Sequence, residues 1–374
     1  MKVPFNRPVY LKEHQKVFDN LVNPKKLSGD GASAARCELE LEKQIGSKIL
    51  LVPSATAALE MMALLLDIKE GDEVIVPSYT FVTSASAFSL RNATIKFADI
   101  DQNGNILPSE VERLYTSKTK AVCAVHYASH SCNMTELQKI CKDKNIYLLE
   151  DAAQCINSQF QNKSLGSLGS LGCISFHDTK NITSGEGGAL IINDEKFFDR
   201  AEIIRDKGTN RKSFQRGEIN KYSWLDLGSS FCFSELNALY LEPQIAQLNQ
   251  ITSRRKKIWE VYNTELSKKF SDKGFRTLSS PDYNQSNYHM FASIAPNQEI
   301  RDKIYNELNQ KGIQATLHYQ PLHLSKYGSR YPSSHLPNTE KFANCITRLP
   351  LWYNLTDEQI NLVISETKDI LSKI

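Results

Sequence analysis

Residues 146–154 read Ile146-Tyr147-Leu148-Leu149-Glu150-Asp151-Ala152-Ala153-Gln154, an apolar run closed by two acids, two small residues and an amide. A short continuous apolar run of this kind fits a strand buried on both faces, as strands of parallel sheets are. The pattern recurs on either side. Strand-like runs stand at 49–52, 73–77, 94–98, 121–126, 146–150, 173–177 and 189–192, and helical patterns at 56–66, 83–90, 134–144 and 196–205 lie between several of them. Buried strands separated by helices of about three turns predict βαβ units and a mainly parallel central sheet. In such a sheet ligands bind beyond the carboxyl ends of the strands, which places Glu150 to Gln154 at the binding edge.

After about residue 240 the texture changes. Residues 242–269 predict one long polar-rich helix, interrupted early by Pro243, with a basic run Arg254-Arg255-Lys256-Lys257 that reads as a solvated face rather than a phosphate contact. A strand at 288–294, a helix at 298–311, a strand at 314–319 and a last helix at 356–374 follow. The expected division is a large α/β domain over 1–240, with the N-terminal segment, and a smaller C-terminal α+β domain over 241–374.

The length, 374 residues, fits two domains at about 150 residues each. Lys and Arg total 45 against 42 Asp and Glu, a formal charge of +3, which tells against a protein built to coat nucleic acid or an anionic membrane. The eight cysteines form no CxxC pair and no zinc spacing, so they read as small buried apolar residues. The first ten residues, MKVPFNRPVY, lack the apolar core of a signal peptide, and the most apolar stretch, 49–68, is interrupted by Pro53, Glu60 and Asp67. A cytoplasmic location with neither membrane nor nucleic acid as partner is expected.

Four segments could carry chemistry. Glu150 and Asp151 at a strand end read either as an ordinary cap or turn, or as a carboxylate for a cationic ring nitrogen or a metal; the His and carboxylate cluster that a metal needs is missing. Lys180, in Ser175-Phe176-His177-Asp178-Thr179-Lys180-Asn181, stands between a buried-looking strand and Gly185-Glu186-Gly187-Gly188. Such a place can desolvate an ammonium and free a neutral amine to attack a carbonyl, although Gly-Glu-Gly-Gly by itself is no more than a turn. Pro53-Ser54-Ala55-Thr56-Ala57-Ala58 opens a helix with small residues, which is an ordinary N-cap or a seat for a phosphate. Phe81, just past a strand in Pro77-Ser78-Tyr79-Thr80-Phe81, is a core aromatic or a face for a flat ring. Together the four describe one small molecule: a phosphate at Thr56 and Ser175, a ring on Phe81, its nitrogen on Asp151 and an aldehyde carbon on Lys180. Pyridoxal 5′-phosphate has these parts.

The motifs GDEVIVPSYTFV, EDAAQ, SFHDTKN, GEGGA, HYQPLH and RLPLWYNLT, in this order over nearly the whole chain, resemble the sugar-nucleotide aminotransferases of the aspartate-aminotransferase (type I) fold. Through VHYA, SFHDTKN, RDKGTNR and KYSWLDLGSS the likeness runs closest to the branch that makes dTDP-4-amino-4,6-dideoxygalactose. The resemblance implies a PLP-dependent transaminase with L-glutamate as amino donor and a dTDP-4-keto-6-deoxy sugar as acceptor. It makes Lys180 the covalent partner of the cofactor, Asp151 the partner of the ring nitrogen, Gln154 a neighbour of the ring hydroxyl and Phe81 the stacking aromatic. It makes Thr56, Ala57 and Ser175 the phosphate contacts. Many relatives have asparagine where this chain has Cys232, a residue that reaches the partner subunit's phosphate; Ser230 is the expected substitute. A homodimer with shared sites is implied. For the substrate's diphosphate Arg205, Lys207, Arg211 and Lys221 are candidates, each with surface charge as the plainer reading, and His318 and His323 are candidates for the sugar pocket. A 3-keto sugar nucleotide would use the same cofactor residues. A PLP-type sugar dehydratase replaces the lysine with histidine, so Lys180 tells against it, and the full set of Lys180, Asp151 and Gln154 tells against a non-catalytic regulator.

Overall fold

The computed structural model describes residues 2–21, 27–281 and 283–374. In chain order the strands of its first part are β1 (Lys48–Val52), β2 (Glu73–Pro77), β3 (Thr94–Ala98), β4 (Thr119–Val125), β5 (Tyr147–Asp151), the short pair β6 (Gln159–Phe160) and β7 (Lys163–Ser164), β8 (Leu171–Ser175) and β9 (Gly188–Ile192). One sheet runs in the order β1-β9-β8-β5-β4-β2-β3. Its pairings are parallel from β3 across to β8, whereas β9 lies antiparallel to both β8 and β1. The sheet is thus mainly parallel, as expected, with one reversed strand.

Helices cover both faces: α1 (His14–Leu21), α2 (Ala32–Ile45), α3 (Ala55–Leu65), α4 (Thr83–Ser89), α5 (Pro108–Leu114), α6 (Met134–Lys144), α7 (Phe198–Arg205), α8 (Arg211–Gln215) and α9 (Glu235–Ala246). Successive residues of one strand feed different cores, as the two-residue period of a strand requires. On β2, Val74 and Val76 pack with α3 residues such as Leu59 and Met62, while Ile75 packs with Leu137 and Ile140 of α6. At the β1 edge, Ile49 and Leu51 meet Leu41 of α2 and Leu241 of α9.

The remainder holds α10 (Leu248–Ser271), β10 (Arg276–Thr277), β11 (Asn284–Gln285), β12 (Phe291–Ile294), α11 (Gln298–Gln310), α12 (Pro337–Cys345), β13 (Ile346–Leu349) and α13 (Asp357–Ser372). An antiparallel sheet β10-β12-β13 and the helices α10, α11 and α13 enclose a second core that includes Tyr262, Phe270, Phe291, Leu308 and Val363, with Val3 reaching in from the N-terminus. The helix expected at 242–269 is two helices, α9 and α10, parting at Gln247, and residue 240 lies within α9. The basic run is not wholly a solvated face: Arg255 is buried and donates to the carbonyls of Tyr288, His289 and Leu351 at 3.1, 2.6 and 3.2 Å. The strand expected at 314–319 is irregular chain with a single bridge, Thr316 to Arg348. Among the described residues no helix is long and apolar enough to cross a membrane.

Candidate active site

At the carboxyl ends of β4, β5 and β8 a cavity of about 620 Å³ opens, lined among others by Thr56, Phe81, His126, Asp151, Gln154, Ser175, Lys180, His318 and Tyr319. The placement follows from the sheet: strand ends that run the same way converge their last side chains on one edge.

Asp151 ends β5 and is buried. Its Oδ2 accepts from Ser84 Oγ at 2.6 Å, and Oδ1 accepts from the Ala153 N–H at 3.1 Å. Ser84 is itself held by Thr80, Oγ to Oγ1, at 2.7 Å. These neutral donors fix the carboxylate without neutralising it. Glu150, its neighbour in sequence, points to the opposite face and serves the fold. Its two oxygens accept from the Gly166, Leu168 and Gly169 N–H groups at 2.9, 2.6 and 2.5 Å and meet His126 Nε2 at 2.9 Å. His126 Nδ1 accepts from the Cys132 N–H at 3.1 Å, so Nε2 carries the proton given to Glu150.

Lys180 lies in the loop between β8 and β9. The loop is pinned from outside: Asn181 Nδ2 donates to the Asn287 carbonyl at 2.9 Å, and Gln244 of α9 exchanges two bonds with the Thr183 backbone, at 2.9 and 2.7 Å. Burial pulls the Lys180 ammonium down to about 8, against an opposing pull from Asp151, with Arg348 adding to the fall. A substantial neutral fraction near pH 8 is what a nucleophilic or proton-carrying amine needs.

Ser54 caps α3, its Oγ accepting from the Ala57 N–H at 3.0 Å. The Ala57 amide is therefore spent on the cap, and Ala57 is not among the cavity residues; the amides of Ala55 and Thr56 remain for an anion at the positive end of the helix. Gly188 makes this approach possible, since a Cβ there would sit 2.4 Å from the Ala55 nitrogen. Ser175 and Thr179 bring hydroxyls to the same cavity. Phe81 is 53% exposed, leaving a ring face open beside Tyr319, whose centroid is 6.1 Å away. Gln154 Oε1 accepts from the Ala128 N–H at 2.7 Å and its Nε2 reaches Tyr319 Oη at 3.3 Å.

Other expected residues lie elsewhere. His323 accepts from Ser78 Oγ at 2.6 Å and meets Glu340 at 3.3 Å, tying its segment to the end of β2 rather than facing the cavity. Arg205 is buried in ion pairs with Asp30 at 2.8 Å and Glu38 at 2.7 Å. Lys207 and Arg211 both pair with Asp206, at 2.9 and 3.6 Å. Lys221 and Ser230 are exposed, outside this chain's cavity. Cys232 Sγ turns toward Asp30 and the Arg205 carbonyl, at 4.0 and 3.7 Å. Its thiol, Asp30 and Asp206 lie close enough to hold a metal, but Arg205, Lys207, Arg211 and Lys212 already answer those two carboxylates.

Sequence reasoning missed Ser84, Tyr319, Thr179 and Arg348. Ser84 and Thr80 gave no signal, because a hydroxyl becomes informative only when its partner is known. Tyr319 stands beside His318 in HYQPLH, and nothing in the sequence separates it from the chain's other tyrosines.

The donor set fits pyridoxal 5′-phosphate: a carboxylate that forms no ion pair with any described residue for a protonated ring nitrogen, a desolvated amine for the aldehyde, helix amides with hydroxyls for the phosphate, and an open aromatic face for the ring.

Comparisons with known proteins agree with this geometry. An uncharacterised protein of Methanocaldococcus jannaschii, MJ1066, is 30% identical over 355 residues, covering 92% of this chain and 91% of that one. The structure of the aminotransferase TlmJ from Streptoalloteichus hindustanus superposes with a TM-score of 0.91 at 25% identity over 100% of both chains. That of Helicobacter pylori PseC, an aminotransferase involved in the biosynthesis of pseudoaminic acid, gives 0.92 at 24% identity, again over 100% of both, and so shares the fold. A profile of the DegT/DnrJ/EryC1/StrS aminotransferases matches residues 10–368. The cofactor is pyridoxal 5′-phosphate, and the fold is that of type I PLP-dependent aminotransferases. With the match spanning nearly all of its length, the chain belongs to the DegT/DnrJ/EryC1/StrS aminotransferase family.

Proposed function

We propose that this enzyme moves an amino group from L-glutamate to C4 of dTDP-4-dehydro-6-deoxy-D-glucose, giving dTDP-4-amino-4,6-dideoxy-D-galactose and 2-oxoglutarate. The observation that carries the transaminase chemistry is the convergence of Lys180 and Asp151 on one cavity. The choice of sugar rests on the likeness of VHYA, SFHDTKN and KYSWLDLGSS to that branch of the family.

When bound, the cofactor supplies a protonated ring that takes up the electron pair released as the donor's Cα–H bond breaks. Asp151 holds the proton on the ring nitrogen, and Ser84 keeps Asp151 from turning away. Lys180 Nζ, as a neutral amine, takes the proton from the donor's Cα. In the second half-reaction it delivers a proton to the sugar carbon from one face, and that face sets the configuration of the new amine. Thr56, with the α3 amides, Ser175 and Thr179 hold the phosphate; Phe81 and Gln154 hold the ring. The exposed segment with Trp224 (77% exposed), Leu225 and Leu227, which also carries Ser230, supports a homodimer in which this segment completes a neighbouring site; Arg211 and Lys221 beside it suit the substrate's diphosphate.

The test is incubation of the purified protein with L-glutamate and a panel of 4-keto and 3-keto dTDP sugars, with NMR of the product. An axial amine at C4 is expected. Amination at C3 would overturn the assigned position, and no amination of any dTDP sugar would overturn the substrate class.

A further inference from the structure

One histidine in the cavity has both its protonation and its direction set by the protein. His318 Nδ1 lies 2.6 Å from Arg348 Nη1. A guanidinium only donates, so Nδ1 accepts and the ring proton of the neutral imidazole sits on Nε2. Phe5 meets the ring edge-on at 6.2 Å and Tyr319 stacks on it at 5.3 Å, which leaves little rotation. Nε2 hydrogen-bonds to no described residue, and His318 lines the cavity. The charged groups bearing on it are Arg348 from β13 and Lys180 from the cofactor loop; with burial first and these two after it, they pull its pKa down to about 4.

Arg348 is itself unusual. It is 5% exposed, and among the described residues its Nε has no hydrogen-bond partner and its guanidinium no ion pair. The Phe5 ring, 4.9 Å from its Cζ, offers a cation–π contact. A buried cation without a counter-ion is costly, and an arriving anion would relieve it. The charge also polarises the imidazole through the Nη1–H to Nδ1 bond and strengthens Nε2–H as a donor.

We propose that His318, held by Arg348, receives the carboxylate of the amino donor through its Nε2–H, as a neutral imidazole and not as a proton-transfer group. Arg348 is then a positioning residue. The inference rests on the transaminase reading of the same cavity and adds the contact that recognises the amino acid.

The experiment titrates glutarate, an unreactive dicarboxylate, and separately dTDP into the holoenzyme by calorimetry. Replacing His318→Phe is expected to weaken glutarate at least tenfold and leave dTDP within twofold, while His318→Gln, which retains an acceptor for Arg348 and a donor for the ligand, recovers most of the loss. Unchanged glutarate binding, or an equal loss for dTDP, overturns the proposal. A measurement without any substitution is ¹⁵N NMR of the imidazole. The Nε2–H tautomer is expected throughout pH 6 to 8.5, with the pKa of His318 rising in Arg348→Met although burial still holds it down; a wild-type His318 that titrates in that range overturns it. The visible spectrum of the cofactor on adding L-glutamate separates the two failures. If the spectrum does not change, the transaminase reading fails; if it changes while His318→Phe binds glutarate normally, only this inference fails.

Discussion

Stripped of cofactor, the enzyme offers Lys180 as a free amine whose reactivity should follow its own titration. With its pKa pulled to about 8 by burial, about one Lys180 in four is neutral at pH 7.5, against about one in a thousand for an ordinary lysine. Capture of the cofactor's aldehyde by the apoenzyme should therefore be about two hundred times faster than capture by a solvent-exposed lysine of equal intrinsic nucleophilicity. The rate, followed by stopped-flow absorbance from pH 6 to 10, should rise with pH to a plateau with its midpoint near 8. Asp151 favours the ammonium, so Asp151→Asn should move this midpoint to lower pH even as it impairs turnover. The two effects have opposite signs at neutral pH, which no general loss of folding would produce. A wild-type midpoint near 10.5 would show that the amine is solvated and that the desolvation argument fails.

Three substitutions probe the supports of the site. Ser84→Ala removes the 2.6 Å donor to Asp151 and should cost about 1.5–3 kcal/mol, read as weaker retention of the cofactor in equilibrium dialysis; wild-type retention would mean Asp151 needs no such brace. Glu150→Ala strands the buried Gly166 amide and the half-buried Leu168 and Gly169 amides, so the urea midpoint should drop by an amount equal to about 2–3 kcal/mol, and an unshifted midpoint would contradict the role given to Glu150. Gly188→Ala would press a methyl group to within 2.4 Å of the Ala55 nitrogen and displace the start of α3; cofactor affinity should fall at least tenfold with the circular dichroism unchanged, and full affinity would show that α3 can yield without harm to the phosphate seat.

Most strands of the central sheet were legible because they are buried on both faces, and continuous apolar runs such as those of β2 and β5 need no context to be seen. The reversal of β9 was not. Ala189 to Ile192 is equally apolar in either direction, and only its neighbours β8 and β1 set its sense. β13 escaped because its centre, Thr347-Arg348, is polar, and its burial depends on partners far away in sequence. Residues 314–319 misled in the other direction. Their apolar content serves the presentation of His318 and Tyr319 to the cavity rather than a ladder. In the site, Lys180, Asp151, Gln154, Phe81, Thr56 and Ser175 could be found because motif and strand end coincide. His323 could not be told from His318, since both stand in HYQPLH and only the fold shows that one answers Ser78 and the other the cavity.

The central claim is that one amine, the Nζ of Lys180, carries the cofactor opposite Asp151. Borohydride reduction of the holoenzyme followed by proteolysis and mass spectrometry tests it most directly. The phosphopyridoxyl mass is expected on the peptide containing Lys180 and nowhere else; a label on any other lysine, with Lys180 unmodified, would contradict the account.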